Sequence, residues 1–108
     1  MNPNISIIVP VHNEGDRLPG CLASILRDLP EKAEVVVVDD ASTDGSAEAA
    51  SLYPVEVITL QTQGGPSAAR NAGAAATSGE LLAFIDADVT LRPGAIQALM
   101  EQMEAEPE

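Results

Sequence analysis

The sequence predicts an α/β protein in three αβα layers, built around a mostly parallel, open sheet. Three observations carry this. Four short apolar runs, at residues 5–11, 34–38, 55–60 and 81–85, alternate with four stretches of helical character. The connections are short, so the order reads βαβαβαβα, and strands that alternate with helices pair in parallel with helices on both sides. The runs are also continuous rather than alternating: the four valines Val35 to Val38 suit only a sheet covered on both faces. Right-handed crossovers are then nearly obligatory.

Ile5 to Val11 is apolar and β-branched apart from Ser6 and Pro10, and Pro10 marks the strand's end because it cannot donate to a ladder. His12-Asn13-Glu14-Gly15 follows as a polar turn. Between Asp16 and Leu29, the residues Leu18, Leu22, Ile25, Leu26 and Leu29 recur at helical spacing. Pro19 fits the first turn of that helix, and Pro30 stops it. Glu34 to Val38 is the second strand and ends in Asp39-Asp40. Asp44 is placed to cap a short helix through Ser51. Val55 to Leu60 is a third, less buried strand. A Gly-containing loop runs from Gln61 to Pro66, and Ser67 then caps an Ala-rich helix to about Ser78. Gly79 is expected in a left-handed conformation at that helix's end. Gly73 inside the helix costs up to ~1 kcal/mol relative to Ala, which points to close packing. The fourth strand, Leu81 to Ile85, runs straight into Asp86-Ala87-Asp88. Pro93 opens a last helix with Ile96, Leu99, Met100 and Met103 on one face.

A chain of 108 residues reads as one domain over 1–108, long enough to bury most of its apolar surface. Hydrophobic residues make up 45% but aromatics only 2%, so the core must be built from Val, Ile, Leu and Ala. A formal net charge of -12 argues against binding nucleic acid, which needs a basic footprint. It leaves room for a nucleotide whose phosphates a divalent cation neutralises. The lone Cys21 excludes an internal disulfide, suits a reducing compartment and reads as a small core residue on a helix. No apolar run approaches the ~18–20 residues that span a bilayer, and no basic region precedes the first apolar stretch. The expected location is cytoplasmic, or peripheral to the inner face of the membrane. The acidic end from Glu101 to Glu108 reads as a helix end and solvated tail.

The chemistry-bearing residues fall at strand ends. His12, Asn13 and Glu14 follow strand one; Asp39 and Asp40 end strand two; Asp86 and Asp88 end strand four. In an open parallel sheet, ligands bind beyond the carboxyl ends of the strands, where the strand order reverses. If the order is 3-2-1-4, that crevice lies between strands one and four. Two Asp side chains at i and i+2 can converge there on one hard cation. Each group has a plainer reading alone: Asp39 and Asp40 as turn caps, His12 as a satisfied turn residue, Arg70 as a surface ion pair. An Asp-x-Asp pair also arises by accident in many loops. The combination and its order carry the argument.

The string Ser6-Ile7-Ile8-Val9-Pro10-Val11-His12-Asn13-Glu14, followed by Val38-Asp39-Asp40-Ala41-Ser42-Thr43-Asp44, resembles the start of family 2 glycosyltransferases. Gly65-Pro66-Ser67-Ala68-Ala69-Arg70-Asn71-Ala72-Gly73 and Phe84-Ile85-Asp86-Ala87-Asp88 resemble the family's next two motifs, in order and at the expected spacing. The resemblance implies a Rossmann-like GT-A fold, with strand order 3-2-1-4, whose N-terminal half binds a nucleotide-diphosphate sugar, commonly a UDP-sugar. It places His12 near the base, where the family often has Tyr, and Glu14 near the nucleoside. Asp40, with Asp39, would hydrogen-bond base or ribose, and Arg70 would lie between base and phosphates. Pro10 and Ala87 belong to the same implied donor-binding set. Asp86 would contact the ribose or the metal, and Asp88 would be the principal ligand of Mg²⁺ or Mn²⁺.

The implied activity is an inverting hexosyl transfer to the hydroxyl of a saccharide or lipid-linked acceptor. In the family the general base comes from a later segment. Here no unassigned acid is well placed after Asp88, since Glu101, Glu104, Glu106 and Glu108 read as a solvated face. The chain is therefore expected to be a donor-binding half, ending before the acceptor part, with the general base beyond residue 108. Strand four, apolar on both faces and at a sheet edge, is expected to pair with a second copy. A catalytically incomplete nucleotide-sugar-binding or assembly module is the alternative. A receiver-type signalling domain fits less well, because the acidic pair ends the second strand rather than the first and Lys32 is the only lysine. A nucleotidyltransferase would show a basic loop after strand one, which His12-Asn13-Glu14-Gly15 is not.

Overall fold

The computed structural model describes residues 5–105. The solvated face expected at Glu104, Glu106 and Glu108 lies outside the described residues and side chains. The elements are β1 (Ile5–Val11), α1 (Leu18–Arg27), β2 (Ala33–Asp40), α2 (Ser46–Ala50), β3 (Glu56–Leu60), α3 (Gly65–Ala75), β4 (Leu81–Phe84) and α4 (Ala95–Ala105). All strand pairs are parallel, in the order β3-β2-β1-β4. The expected architecture and strand order are both present. β1 is central, with Ile8 beside Val36 on one side and Phe84 on the other.

Side chains alternate across a strand, and that alternation sorts the core into two layers. Ile5, Ile7 and Val9 of β1 and Val35 and Val37 of β2 face Leu22 and Ile25 of α1 and Ile96 and Met100 of α4. Ile8, Val36 and Val38 face the other way, onto Ala69 and Ala72 of α3. Branched aliphatics thus fill a core that has almost no aromatic residue available. Gly73 serves the second layer. A Cβ there would run into Ile8 and stand 3.2 Å from Val38 Cγ2. Its absence is what lets α3 lie close on the sheet.

Several helix ends differ from expectation for identifiable reasons. α3 stops at Ala75, short of Ser78, and Gly79 has no left-handed conformation. Gly79 is instead a close-approach glycine, where a Cβ would stand 2.7 Å from the Ser6 amide nitrogen. Its N–H donates to Ser6 Oγ at 2.9 Å, and Ser6 donates to Glu34 at 2.6 Å. The Ser6 hydroxyl, then the Ser78 N–H, hold the Glu34 carboxyl below its ordinary range. This network returns the chain onto β4. Pro93 lies outside α4, because the left-handed Gly94 (φ 84) separates it from the helix start at Ala95.

β4 buries only one face. Ala83 and Ile85 are in the core, whereas Leu82 and Phe84 are 38% and 44% exposed. β4 pairs with β1 and forms one edge of the sheet.

Candidate functional site

In the order β3-β2-β1-β4 the connection after β1 runs toward β2 and the one after β3 crosses back to β4, so among the described residues no connection joins β1 directly to β4 across the gap at their carboxyl ends. A cleft of ≈ 400 Å³ opens there. Pro10, Val11, His12 and Glu14 come from the end of β1, and Asp40 from the end of β2. Gln63, Gly65, Pro66, Ala69 and Arg70 supply the opposite wall, and Asp86 and Asp88 the rim beyond β4. Of the residues expected at a site, Pro10, His12, Glu14, Asp40, Arg70, Asp86 and Asp88 meet here.

Asp39 and Ala87 do not line the cleft: Asp39 lies on the other side of β2 by the two-residue period of extended chain, and Ala87 lies in the turn closed by the Val89 N–H to Asp86 carbonyl bond at 3.0 Å. Asp39 shares a face with Val35 and Val37; it is 3% exposed, and its Oδ1 accepts the Ser42 N–H at 3.1 Å. It folds the turn after β2, where Ala41 is held at φ 58. That is an unfavoured conformation for a residue with a Cβ, at roughly 1–2 kcal/mol. Ala87 points into the core between the two acids and is 1% exposed.

Asp40 faces the α3 side. Its Oδ1 accepts the Gly64 N–H at 2.8 Å and its Oδ2 the Gly65 N–H at 2.9 Å. The start of α3 is therefore capped from β2, and Ser67 is already inside the helix that it was expected to begin. Each carboxylate oxygen keeps acceptor capacity for a ligand in the cleft. His12 Nδ1–H donates to the Asp40 carbonyl at 2.6 Å, and Nε2 accepts from Asn13 Nδ2 at 3.4 Å. The neutral tautomer protonated at Nδ1 accounts for both contacts.

Asn13 (φ 54) ties the loops after β1 and β2 into one rim. Its Oδ1 accepts the Thr43 N–H at 2.8 Å, and its own N–H donates to Ser42 Oγ at 2.9 Å. Asp44 adds to this by accepting the Gly15 N–H at 2.9 Å. Its other oxygen takes the Ser46 N–H at 3.0 Å, so it caps α2 from one residue outside the N-cap position, where Gly45 stands at φ 85. The Ser46 hydroxyl, then the Gly15 N–H, keep the Asp44 carboxyl below its usual range.

The acid pair is exposed and faces cations. Asp86 Oδ1 lies 4.0 Å from Arg70 Nη2, and Asp88 Oδ2 lies 3.8 Å from Arg17 Nη1. Among the described residues, no group of three or more His, Cys, Asp or Glu is arranged to hold a metal ion. A complete protein cage is thus not present, but two water-facing carboxylates suit a hard cation that draws its remaining ligands from phosphate and water. α1 carries the acid loop. Cys21 Sγ donates to the Asp86 carbonyl at 3.6 Å, and Ser24 Oγ accepts the Leu91 N–H at 3.0 Å. Arg27 Nη2 donates to the Leu91 carbonyl at 3.1 Å. Cys21 is a core residue, as expected; burial first, then the charges of Asp88, Asp86 and Glu14, push its thiol up to about 11.

The sequence reading missed Val11, Gln63, Gly65, Pro66 and Ala69 as wall residues, and Arg17 at the acid pair. The wall residues sit in motifs that were recognised, but they carry no titratable group to mark them. Arg17 did leave a signal: it is a cation at a helix start, where the macrodipole opposes it.

A family profile described as Glycosyl transferase family 2 matches residues 6–108. Glycosyltransferase GlyG of Streptococcus pneumoniae is 31% identical over 109 residues, covering 96% of this chain and 36% of that protein. The crystal structure of S. aureus TarS 1–349 in complex with UDP-GlcNAc superposes with a TM-score of 0.85 at 30% identity, covering 99% of this chain and 32% of that one. The mannosyltransferase PcManGT from Pyrobaculum calidifontis, in complex with GDP-Man and Mn²⁺, superposes with a TM-score of 0.79 at 33% identity, covering 93% and 31%. The chain spans about a third of the length of the relatives it matches.

Proposed function

The chain belongs to glycosyl transferase family 2, and from that premise we propose that its cleft binds a nucleotide-diphosphate sugar, in the first place a UDP-sugar, with Mg²⁺ or Mn²⁺ at Asp88 and Asp86. The observation that carries the reading is the convergence of Pro10, His12, Glu14, Asp40, Arg70, Asp86 and Asp88 on one cleft at the reversal of strand order. Its ≈ 400 Å³ is in the range of pockets that take small ligands.

The chain's own groups divide the donor between them. Pro10, Pro66 and the His12 ring give the base an apolar wall, and Asp40 and Glu14 offer acceptors to base and ribose hydrogens. Arg70, with its guanidinium beside Asp86, meets the diphosphate from the α3 side. A divalent cation at Asp86 and Asp88 supplies neutralisation of the diphosphate and of the charge that develops on it as the sugar leaves. The transfer is a displacement in which an acceptor hydroxyl of a saccharide or lipid-linked acceptor loses its proton and attacks the sugar, with inversion. Glu14, Asp40, Asp86 and Asp88 are all engaged with donor or cation in this scheme. We therefore give none of these four acids the role of general base. The one-third coverage of its relatives favours a second reading, in which this unit alone binds donor without transferring it.

Calorimetric titration with UDP, UDP-GlcNAc and GDP, with and without Mn²⁺, tests the proposal on wild type and Asp88→Ala. Mn²⁺ should strengthen binding to the wild type. Asp88→Ala should lose at least about tenfold of that affinity, or ~1.4 kcal/mol. A folded sample that binds no nucleotide in either condition overturns the donor site; metal-dependent binding untouched by Asp88→Ala overturns the metal assignment.

A further inference from the structure

We infer that Arg17 is the cation that a divalent metal displaces from Asp88, so that metal uptake at this cleft is an exchange rather than an addition. The inference rests on the reading of Asp88 as a cation ligand. Arg17 Nη1 stands 3.8 Å from Asp88 Oδ2, across the gap between the start of α1 and the loop after β4. The chain has only five Lys and Arg against seventeen Asp and Glu, yet two of the five stand at this acid pair, Arg17 at Asp88 and Arg70 at Asp86.

The start of α1 does not itself favour a cation at Arg17. It occupies the N-cap position of α1, makes no side-chain cap, and no acidic residue stands in the helix's first turn. A cation at a helix N-terminus is opposed by the macrodipole, and the carboxylate that the Arg17 guanidinium meets, Asp88, comes from the loop after β4. The contact is also built to be given up. Both side chains are about half exposed, at 64% and 45%, and an exposed ion pair of this kind is weak and screened by salt.

The backbones on both sides are held. The Arg17 N–H donates to the Glu14 carbonyl at 3.0 Å, and the buried Ala87 and the Cys21 contact to Asp86 fix the acid loop. Only the guanidinium has to move. Arg70 differs from Arg17 in lining the cleft, whereas Arg17 does not, so removing Arg17 takes away no wall.

Mn²⁺ titration without nucleotide, read by the loss of the free-ion paramagnetic resonance signal, tests this on the whole chain. The proteins are wild type, Arg17→Ala, Arg17→Gln, which keeps part of the stem, and Asp88→Asn, each verified as folded by circular dichroism. Both Arg17 variants should bind Mn²⁺ about fivefold more tightly than wild type at low ionic strength, with the gain falling below about twofold near 0.5 M salt. Equal or weaker binding in both Arg17 variants, while Asp88→Asn abolishes it, overturns the exchange and leaves the metal assignment standing. A gain that survives high salt also overturns it. Where Mn²⁺ binds only once saturating UDP is present, the same comparison is read there; binding absent from every protein in both conditions, or unchanged in Asp88→Asn, overturns the cation reading of Asp88 and the exchange with it.

Discussion

Cys21 and Gly73 show how single side chains hold the layers on which the cleft depends. The Cys21 thiol lies under the acid loop, and burial and three nearby carboxylates raise its pKa from 9.0 to about 11. A group whose folded pKa lies above its unfolded value stabilises the fold fully below the unfolded value and loses that contribution as pH rises through the folded one. Wild type should therefore lose stability between about pH 9 and pH 11, and Cys21→Ala should lose less, as read by urea midpoints at pH 7 and pH 10.5. Gly73→Ala should destabilise by about 1–3 kcal/mol in urea unfolding, because the added methyl meets Ile8 and Val38. Helix propensity alone predicts the opposite sign. A neutral or stabilising Gly73→Ala would show that α3 lifts from the sheet at little cost. Close packing at Gly73 was legible in the sequence as a glycine inside an Ala-rich helix; its partners were not, since Ile8 lies far away in the chain.

The connections between elements are made by side chains that belong to other elements. Asp40, at the end of β2, holds the amides of Gly64 and Gly65, the N-cap and first residue of α3, twenty-four and twenty-five residues away. Asp40→Ala should cost about 1–2 kcal/mol, the usual range for a lost cap, and should weaken nucleotide binding by loosening the loop at Gln63 to Pro66. Asp40→Asn retains an acceptor and should lose less of both; urea midpoints and nucleotide titration of the two variants check this. Equal effects of the two substitutions would mean that α3 needs both carboxylate oxygens, since Asn offers one acceptor and turns its NH2 toward the other amide. A local reading assigned this cap to Ser67, because caps are sought in the residues just before a helix. The same limitation moved Pro93 outside α4 and made Gly79 a contact with Ser6 rather than a helix terminator. Both depend on which backbone passes nearby, and periodicity does not report that.

Taken as a whole, the molecule has an uncovered margin. Leu82 and Phe84 stand on the α3 side of an edge strand that α3 does not reach, and an apolar edge of this kind recruits another strand. Self-association is expected at high concentration in light scattering, and Phe84→Lys should reduce it. A monodisperse monomer throughout would contradict this. The order of elements, the parallel sheet and the family were determined by the sequence itself, and the strand order followed from the family resemblance. Apolar periodicity is local, crossover handedness is nearly universal, and the four motifs stand in line along the chain. The acid pair at Asp86 and Asp88, with polar residues at the other strand ends, was legible on the same grounds. The tertiary structure alone decided that Asp40 and not Asp39 faces the cleft, that Ala87 turns inward between the two acids, and that Arg17 lies against Asp88. Adjacent residues of extended chain point to opposite faces, and only the helices packed on each face settle which direction is the cleft and which is the core.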